Sequence, residues 1–121
     1  MNELSNVLKL NIANQKIVEF VEKDVHSIVI NMDNGFEPII KYRDILTEKL
    51  NFQLISEYGI TDMTQIYNYE NVQYILYYNS DEDMITFDSK YNDEKQIEKY
   101  REIAAYLKTV NIKENGNLFK R

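Results

Sequence analysis

Three runs of alternating residues, joined by very short connections, limit most strongly what this chain can fold into. The runs are Met63–Tyr69, Val72–Asn79 and Met84–Asp88. They are rich in residue types that favour extended backbone, such as Tyr, Ile and Val. Because connections of only a few residues permit antiparallel pairing and are too short for a crossover, these runs predict an antiparallel meander.

The middle run, Val72–Asn79, is predicted to lie inside the sheet. Tyr74 and Leu76 alternate with Ile75 and Tyr77, so both faces of the run carry apolar or aromatic side chains. Strands with this pattern are usually covered on both faces.

Two further segments are candidate strands beside the meander. His26–Met32 has the β-branched content of a short strand, and the sequence Asp33-Asn34-Gly35 after it predicts a turn. Phe52–Glu57 is the second candidate, and it ends just before Tyr58-Gly59. The expected meander has three to four strands.

A helix is predicted to follow the turn at Gly35. From Pro38 to Asn51 the apolar residues recur at helical spacing, and proline suits the first turn of a helix. The alternative is a β-hairpin closed by Asn34-Gly35, with Phe36–Tyr42 as its second strand. Proline argues against a central strand, so the helix is the prediction.

Helices are also predicted at the two ends of the chain. Asp93–Thr109 carries an apolar stripe, with Asn92 or Asp93 as the N-cap. The spacing favours a helix over most of Glu3–Lys23, although the alternation from Leu8 to Ile12 suits a strand. The expected fold class is α+β: an antiparallel three- to four-stranded meander packed against N-terminal, middle and C-terminal helices.

The length of the chain favours one domain. At 121 residues one hydrophobic core is expected, so residues 1–110 are predicted to form a single α+β domain. Residues 111–121 are predicted to form a loose C-terminal tail, with a final short strand as the alternative. The chain contains no Cys, no secretory-signal pattern and no long apolar run. We therefore expect a cytoplasmic protein that does not span a membrane.

The sequence contains no catalytic or cofactor-binding motif. His26 is the sole histidine, and Asp24 and Ser27 lie too close to it on an extended segment to converge as a triad. The oxygen spacing of a calcium loop begins at Asn79, but Met84 stands where that loop needs Gly. The three glycines are too far apart for a phosphate-binding loop. We expect no catalytic residue, no metal site, no cofactor and a non-enzymatic function.

The charge of the chain is unevenly distributed. Its formal net charge is −6, and residues 50–89 contain seven acidic side chains and no Lys or Arg. This block would repel nucleic acid, because affinity for phosphate comes from Lys and Arg. No direct nucleic-acid binding is therefore expected, and a basic protein is the favoured partner, since complementary fields steer association.

The partner-binding surface is predicted at the acidic end of the meander, where tyrosines supply contact area. The predicted residues are Glu70, Asp81, Glu82, Asp83, Tyr67, Tyr69 and Tyr77. The connections 70–71 and 80–83 are expected at opposite ends of the sheet. The 80–83 connection is the favoured contact, because three consecutive acids are costly to bury and stand free. Two simpler explanations for the many tyrosines are a role in the core and the codon usage of an AT-rich genome.

These features predict a protein-binding inhibitor that blocks a basic partner, such as one that binds nucleic acid. In size, charge and lack of catalytic motifs the chain resembles, as a loose class, the immunity proteins that neutralise toxins and the anti-defence inhibitors of mobile elements. No motif carries this resemblance, and it transfers no residues. One alternative is a self-associating structural or adaptor domain that uses Ile103, Tyr106 and Val110, and another is a carboxylate-based enzyme. The protein is expected to be a monomer or a homodimer.

Overall fold

The structure, a computed structural model, describes residues 19–91 and 93–110, and these form six strands and two helices. The strands are β1 (Glu19–Glu22), β2 (Val25–Met32), β3 (Gln53–Tyr58), β4 (Met63–Tyr69), β5 (Val72–Asn79) and β6 (Met84–Lys90). The helices are α1 (Pro38–Asp44), which continues as a π-helical turn over Ile45–Lys49, and α2 (Glu94–Lys108). The strands pair antiparallel in one sheet with the order β1-β2-β6-β5-β4-β3.

The predicted meander is confirmed as β4-β5-β6. Tyr69 pairs with Val72 across the connection between β4 and β5. In this connection Glu70 and Asn71 have φ of 51° and 64°, which matches the type I′ turn that two-residue hairpins prefer. β5 lies inside the sheet between β4 and β6, as its two apolar faces predict.

The sheet is larger than the three to four strands predicted. β2 pairs with β6, which is far away in the sequence, and β1 adds an edge strand to β2. The described residues contain two helices instead of the expected three. The α+β class is confirmed, whereas the strand and helix numbers were wrong. A long-range pairing such as that of β2 with β6 leaves no local pattern in the sequence.

The helix predicted over Glu3–Lys23 is wrong where the structure describes it, because Glu19–Glu22 forms β1. Lys23 and Asp24 follow with φ of 50° and 68°, which are the two left-handed residues of a type I′ hairpin. The hairpin with β2 therefore overrides the helical spacing of the apolar residues. The rest of this predicted helix and the predicted tail at 111–121 lie outside the described residues.

The helix predicted from Pro38 to Asn51 is confirmed, and the alternative hairpin is not formed. Pro38 occupies the first turn of α1. A backbone N–H at this position would have no partner within the helix, so the absence of an N–H in proline costs no hydrogen bond. At the other end the backbone N–H of Leu50 donates to the carbonyl of Ile45 at 3.1 Å. Asn51, with φ of 61°, then turns the chain into β3.

Helix α2 has the N-cap that the sequence predicts. The Asp93 carboxylate accepts hydrogen bonds from the backbone N–H groups of Lys95 and Gln96, at 2.7 and 3.4 Å. These bonds satisfy donors that the first turn of a helix leaves unpaired. The buried residues of α2 are Tyr100, Glu102, Ile103, Ala104, Ala105 and Leu107.

Both helices contribute to one core on one face of the sheet. The core includes Ile28, Ile30, Tyr67, Tyr69, Tyr74, Leu76, Tyr78, Ile85 and Phe87 from the sheet and Ile39, Tyr42, Leu46, Tyr100, Ile103 and Leu107 from the helical segments. Seven of the ten tyrosines of the chain are buried. The tyrosine content of this protein is therefore first of all a property of its core.

Replacing Gly59 by Ala is expected to destabilise the fold more than replacing Gly35 by Ala. Gly59 has φ of 133°, and a Cβ there would lie 1.9 Å from the carbonyl oxygen of Asp62, so the backbone would have to move. Gly35 has φ of 72° and open space at the Cβ position, so Ala there meets only left-handed strain of about 1–2 kcal/mol. We expect Gly59→Ala to lower the free energy of unfolding by roughly 3 kcal/mol, as measured by urea unfolding. Equal losses for the two variants would contradict the clash.

Candidate functional site

Three connections meet at one end of the sheet. They are residues 33–37 between β2 and α1, residues 59–62 between β3 and β4, and residues 80–83 between β5 and β6. The antiparallel register of β2, β4, β5 and β6 places all three connections at the same end of the strands. We call these three connections the acidic end.

The three connections of the acidic end contain acidic residues but no basic ones. It contains six acidic residues and no Lys or Arg, and the acids are Asp33, Glu37, Asp62, Asp81, Glu82 and Asp83. None of the six forms an ion pair with another described residue. Asp33, Glu37, Asp81 and Glu82 are exposed. A concentration of one sign of charge on a surface raises the local potential and attracts ligands of the opposite sign.

The carboxylate of Asp62 holds two of the connections together. It accepts hydrogen bonds from the backbone N–H and the hydroxyl of Ser80, at 2.9 and 2.7 Å, and from the hydroxyl of Tyr77 at 3.0 Å. Because these donors favour the charged carboxylate, they lower the pKa of Asp62. Residues 59–62 are thereby fixed against residues 80–83.

Asp83 joins the third connection to the other two. Its carboxylate accepts hydrogen bonds from the backbone N–H of Gly35 at 2.9 Å and from the hydroxyl of Tyr78 at 3.2 Å. Its backbone carbonyl accepts from the N–H of Asp33 at 2.7 Å. The expectation that Asp83 stands free was therefore wrong, since its half-buried carboxylate braces the loops.

Asp81 and Glu82 are exposed on the turn, as the sequence predicts. Their backbone N–H groups donate to the Asn79 side-chain oxygen at 3.0 and 3.2 Å. The backbone of the turn is thus held by Asn79, while the two acidic side chains extend into solvent. Asp81 and Glu82 therefore have exposed side chains on a backbone that is held in place.

Glu70 lies at the opposite end of the sheet from the 80–83 connection, as predicted. Its Oε1 is 2.8 Å from Nζ of Lys99 on α2, and the same Nζ lies 5.2 Å from the centre of the Tyr69 ring. The charge of Glu70 is therefore compensated locally. The structure does not bring Glu70 together with the other acids of the predicted surface.

The three tyrosines of the predicted surface have different surroundings. Tyr67 is fully buried and donates its hydroxyl to Oε1 of Gln65 at 2.5 Å. Tyr69 is buried and stacks on Phe52, with 4.4 Å between ring centres. Tyr77 is half-buried and reaches Asp62. A partner can approach Tyr77 at the acidic end, whereas contact with Tyr67 or Tyr69 would require the core to open.

Sequence reasoning missed three acids of the acidic end: Asp33, Glu37 and Asp62. The turn at residues 33–35 is visible in the sequence, but the pairing of β2 with β6 that brings it beside residues 80–83 is not. The 59–62 connection had a usable signal. Alternate turns of an antiparallel meander lie at the same end, so Asp62 belongs with the 80–83 turn.

A second polar cluster joins β1 to α2. Oε2 of Glu19 is 3.0 Å from Nδ1 of His26, and Arg101 donates to both Glu19 oxygens at 2.8 and 2.9 Å. The Arg101 guanidinium lowers the pKa of Glu19. The His26 ring is buried beside the rings of Tyr91 and Tyr100, and no described hydroxyl hydrogen-bonds to it. The arrangement ties an edge strand to a helix and presents no nucleophile.

Asp88 is a carboxyl on the sheet face opposite the helices. It lies across from Ser27 of β2 and Ile75 of β5, and its Oδ1 is buried without a hydrogen-bond partner. Burial raises the pKa of Asp88, and hydrogen bonds with Ser27 and Thr86 oppose this rise. Carboxyls with raised pKa values occur at catalytic sites. The cross-strand neighbours of Asp88 bear a hydroxyl and an aliphatic group, so they provide no second acid or base.

The surface expected for self-association is largely inside the fold. Ile103 is fully buried, and Tyr106 and Val110 pack partly buried against the core. The apolar stripe of α2 is therefore used to cover the sheet. Ile103 therefore offers no surface to a second copy, whereas Tyr106 and Val110 each keep part of their side chain exposed.

Within residues 19–91 and 93–110, no group of three His, Asp or Glu side chains is arranged to hold a metal ion. None of the helices described there is both long and apolar enough to cross a bilayer. Comparisons with protein-family models, with curated proteins and with solved structures found no match for this chain.

Replacing Asp88 by Asn is expected to raise the melting temperature by a few degrees at neutral pH. The folded-state pKa of Asp88 is raised, so the fold disfavours the ionised form and loses stability as pH rises above the unfolded value of about 3.9. Asn removes this loss of stability. The difference in melting temperature between variant and parent should therefore grow from about pH 4 to pH 7. Thermal unfolding followed by circular dichroism measures it. Asp81→Asn, on the exposed turn, controls for one lost charge. A difference that does not grow with pH would contradict the burial of the charge.

Proposed function

We propose that this protein is a non-enzymatic inhibitor, of the immunity or anti-defence kind, that binds one basic protein through its acidic end. The partner surface would be rich in Lys and Arg, such as a surface that otherwise binds nucleic acid. The observation that carries the proposal is the meeting of three connections with six acidic residues and no Lys or Arg.

The bracing of the acidic end supports a binding role. Acids that only keep a protein in solution need no fixed position, but Asp62 and Asp83 hold the three connections together. Surfaces that are ordered before binding lose less conformational entropy when a partner arrives. The bracing is therefore what a recognition surface requires.

The exposed acids supply long-range attraction and the exposed apolar residues supply contact area. Asp33, Glu37, Asp81 and Glu82 are exposed, and a field of one sign accelerates encounters with an oppositely charged partner. Ile60 is fully exposed within the same end. Charge alone gives specificity and speed, whereas apolar contacts at the centre of an interface give much of the affinity.

Reversing Asp81 and Glu82 to Lys is expected to slow association with the partner by about tenfold or more at low salt. Both side chains are exposed, so the melting temperature should change little. Asp83 is left unchanged because its carboxylate braces the loops. The partner is obtained by affinity capture from the native host and identified by mass spectrometry. Association rates of the purified pair are then measured by stopped-flow fluorescence at several salt concentrations.

Reversing Glu94 and Glu98 provides the matched control. Both are exposed on α2, so the double change to Lys shifts the net charge by the same amount away from the acidic end. This control should slow association much less. If both double variants slow it equally, or if the rate does not depend on salt, binding through the acidic end is refuted.

A further inference from the structure

A groove opens at the acidic end between α1 and the β3–β4 hairpin. Phe36, Ile39 and Ile40 line one side of it, and Tyr58, Gly59 and Met63 line the other. Arg43 and Glu57 complete the lining and neutralise each other as an ion pair. Its volume is about 290 Å³, which is at the lower limit of the roughly 300–1,000 Å³ of small-molecule sites. A space of this size suits an inserted side chain better than a metabolite.

The rim of the groove is apolar and exposed. Phe36, Ile40 and Tyr58 remain exposed by 48 %, 44 % and 58 %, although each is large enough to contribute to a core. Apolar side chains grouped around a concave surface mark a place where another molecule docks. Water in contact with these side chains would be released on binding, which is favourable.

The strand side of the groove is held in place by a chain of hydrogen bonds. Arg43 donates to Oε2 of Glu57 at 3.2 Å, and the side-chain amide of Gln65 donates to the same oxygen. The buried hydroxyl of Tyr67 donates in turn to Gln65. At Gly59 the chain packs so closely against the backbone of Asp62 that a Cβ would not fit. The groove is therefore formed before any partner binds.

We infer that the groove receives an apolar anchor side chain, such as Phe or Leu, carried on a Lys- and Arg-rich segment of the basic partner. This inference rests on the proposed function and adds the mode of recognition to it. Charge complementarity identifies the occupant, because Phe36 and Gly59 belong to the same connections that form the acidic end. A segment that places its anchor in the groove brings its flanking cations against the exposed acids.

A second copy of this chain is a poorer occupant. In a two-fold dimer the same surface faces itself. The six acidic residues of one copy would then lie against those of the other, and like charges brought together oppose association. A basic segment encounters no such repulsion.

The inference is tested by titrating the full chain with two short Lys- and Arg-rich peptides that differ at one central residue, Phe or Ser. Amide resonances of the ¹⁵N-labelled protein report where each peptide binds. Both peptides should shift residues 33–37, 59–62 and 80–83. Only the Phe peptide should also shift Ile40 and Met63, and it should bind about tenfold more tightly, as expected for a buried anchor.

Protein variants separate the groove from the general apolar surface. Ile40→Ser should reduce the affinity for the Phe peptide by about tenfold and leave that for the Ser peptide unchanged. Ile55→Ser is the matched control, since Ile55 is exposed by 55 % on edge strand β3, outside the groove lining. This control should leave both affinities unchanged.

The outcomes distinguish the groove from the acidic end. Binding of both peptides at the acidic end without shifts at Ile40 and Met63 overturns the groove and leaves the proposed function standing. Shifts confined to the groove lining, without any at Asp33, Asp81 or Glu82, overturn the charge-based function. No binding by either peptide overturns both.

Discussion

A row of stacked aromatic rings is the interaction on which the rest of the structure depends. Phe52 stacks on Tyr69, Tyr74 stacks on Phe87, and Phe87 stacks on Tyr100, with ring centres 4.4, 5.3 and 5.5 Å apart. A tilted contact between Phe52 and Tyr74, with ring centres 4.9 Å apart, joins the two groups. The row crosses from β4 to α2 and joins elements that are far apart in the sequence. Burial raises the pKa of Tyr74 to about 12, and Tyr100 donates its hydroxyl to the carbonyl of Phe87. Tyrosine can serve in this core because its apolar ring packs while a hydroxyl such as that of Tyr100 finds a partner.

The aromatic core leaves the ends of the strands free to carry function. The helices and the rings stabilise one face of the sheet. The connections at the ends of the strands therefore need not contribute apolar residues to the core. They are instead joined by side-chain hydrogen bonds from Asp62 and Asp83. The same rigid sheet sets the distance between these connections. Binding residues on loops held by a rigid scaffold are a common arrangement in proteins.

Local sequence patterns determine how much of this architecture can be predicted. The meander, the cap at Asp93 and the helix from Pro38 follow from turn chemistry, capping and periodicity, and the structure confirms each of them. Strand β1 was not predictable in this way, because its apolar residues fit helical spacing equally well. Within the acidic end the sequence predicted Asp81, Glu82, Asp83 and Tyr77. Asp33 and Glu37 arrive through the pairing of β2 with β6, and Asp62 arrives through the pairing of β4 with β5. Burial of Tyr67 and Tyr69 likewise depends on packing that one sequence does not display.

The chemistry of the donors explains how the acidic end can be ordered and still remain negative. A carboxylate fixed by Lys or Arg loses its effect at a distance, as Glu70 does beside Lys99 and Glu19 does beside Arg101. The carboxylates of Asp62 and Asp83 are instead held by backbone N–H groups and hydroxyls. These donors are neutral, so they fix the position of the charge without cancelling it, and they lower the pKa of Asp62. The acids that brace the end therefore add to the same field as the exposed ones, and structural order and electrostatic attraction arise from one set of residues.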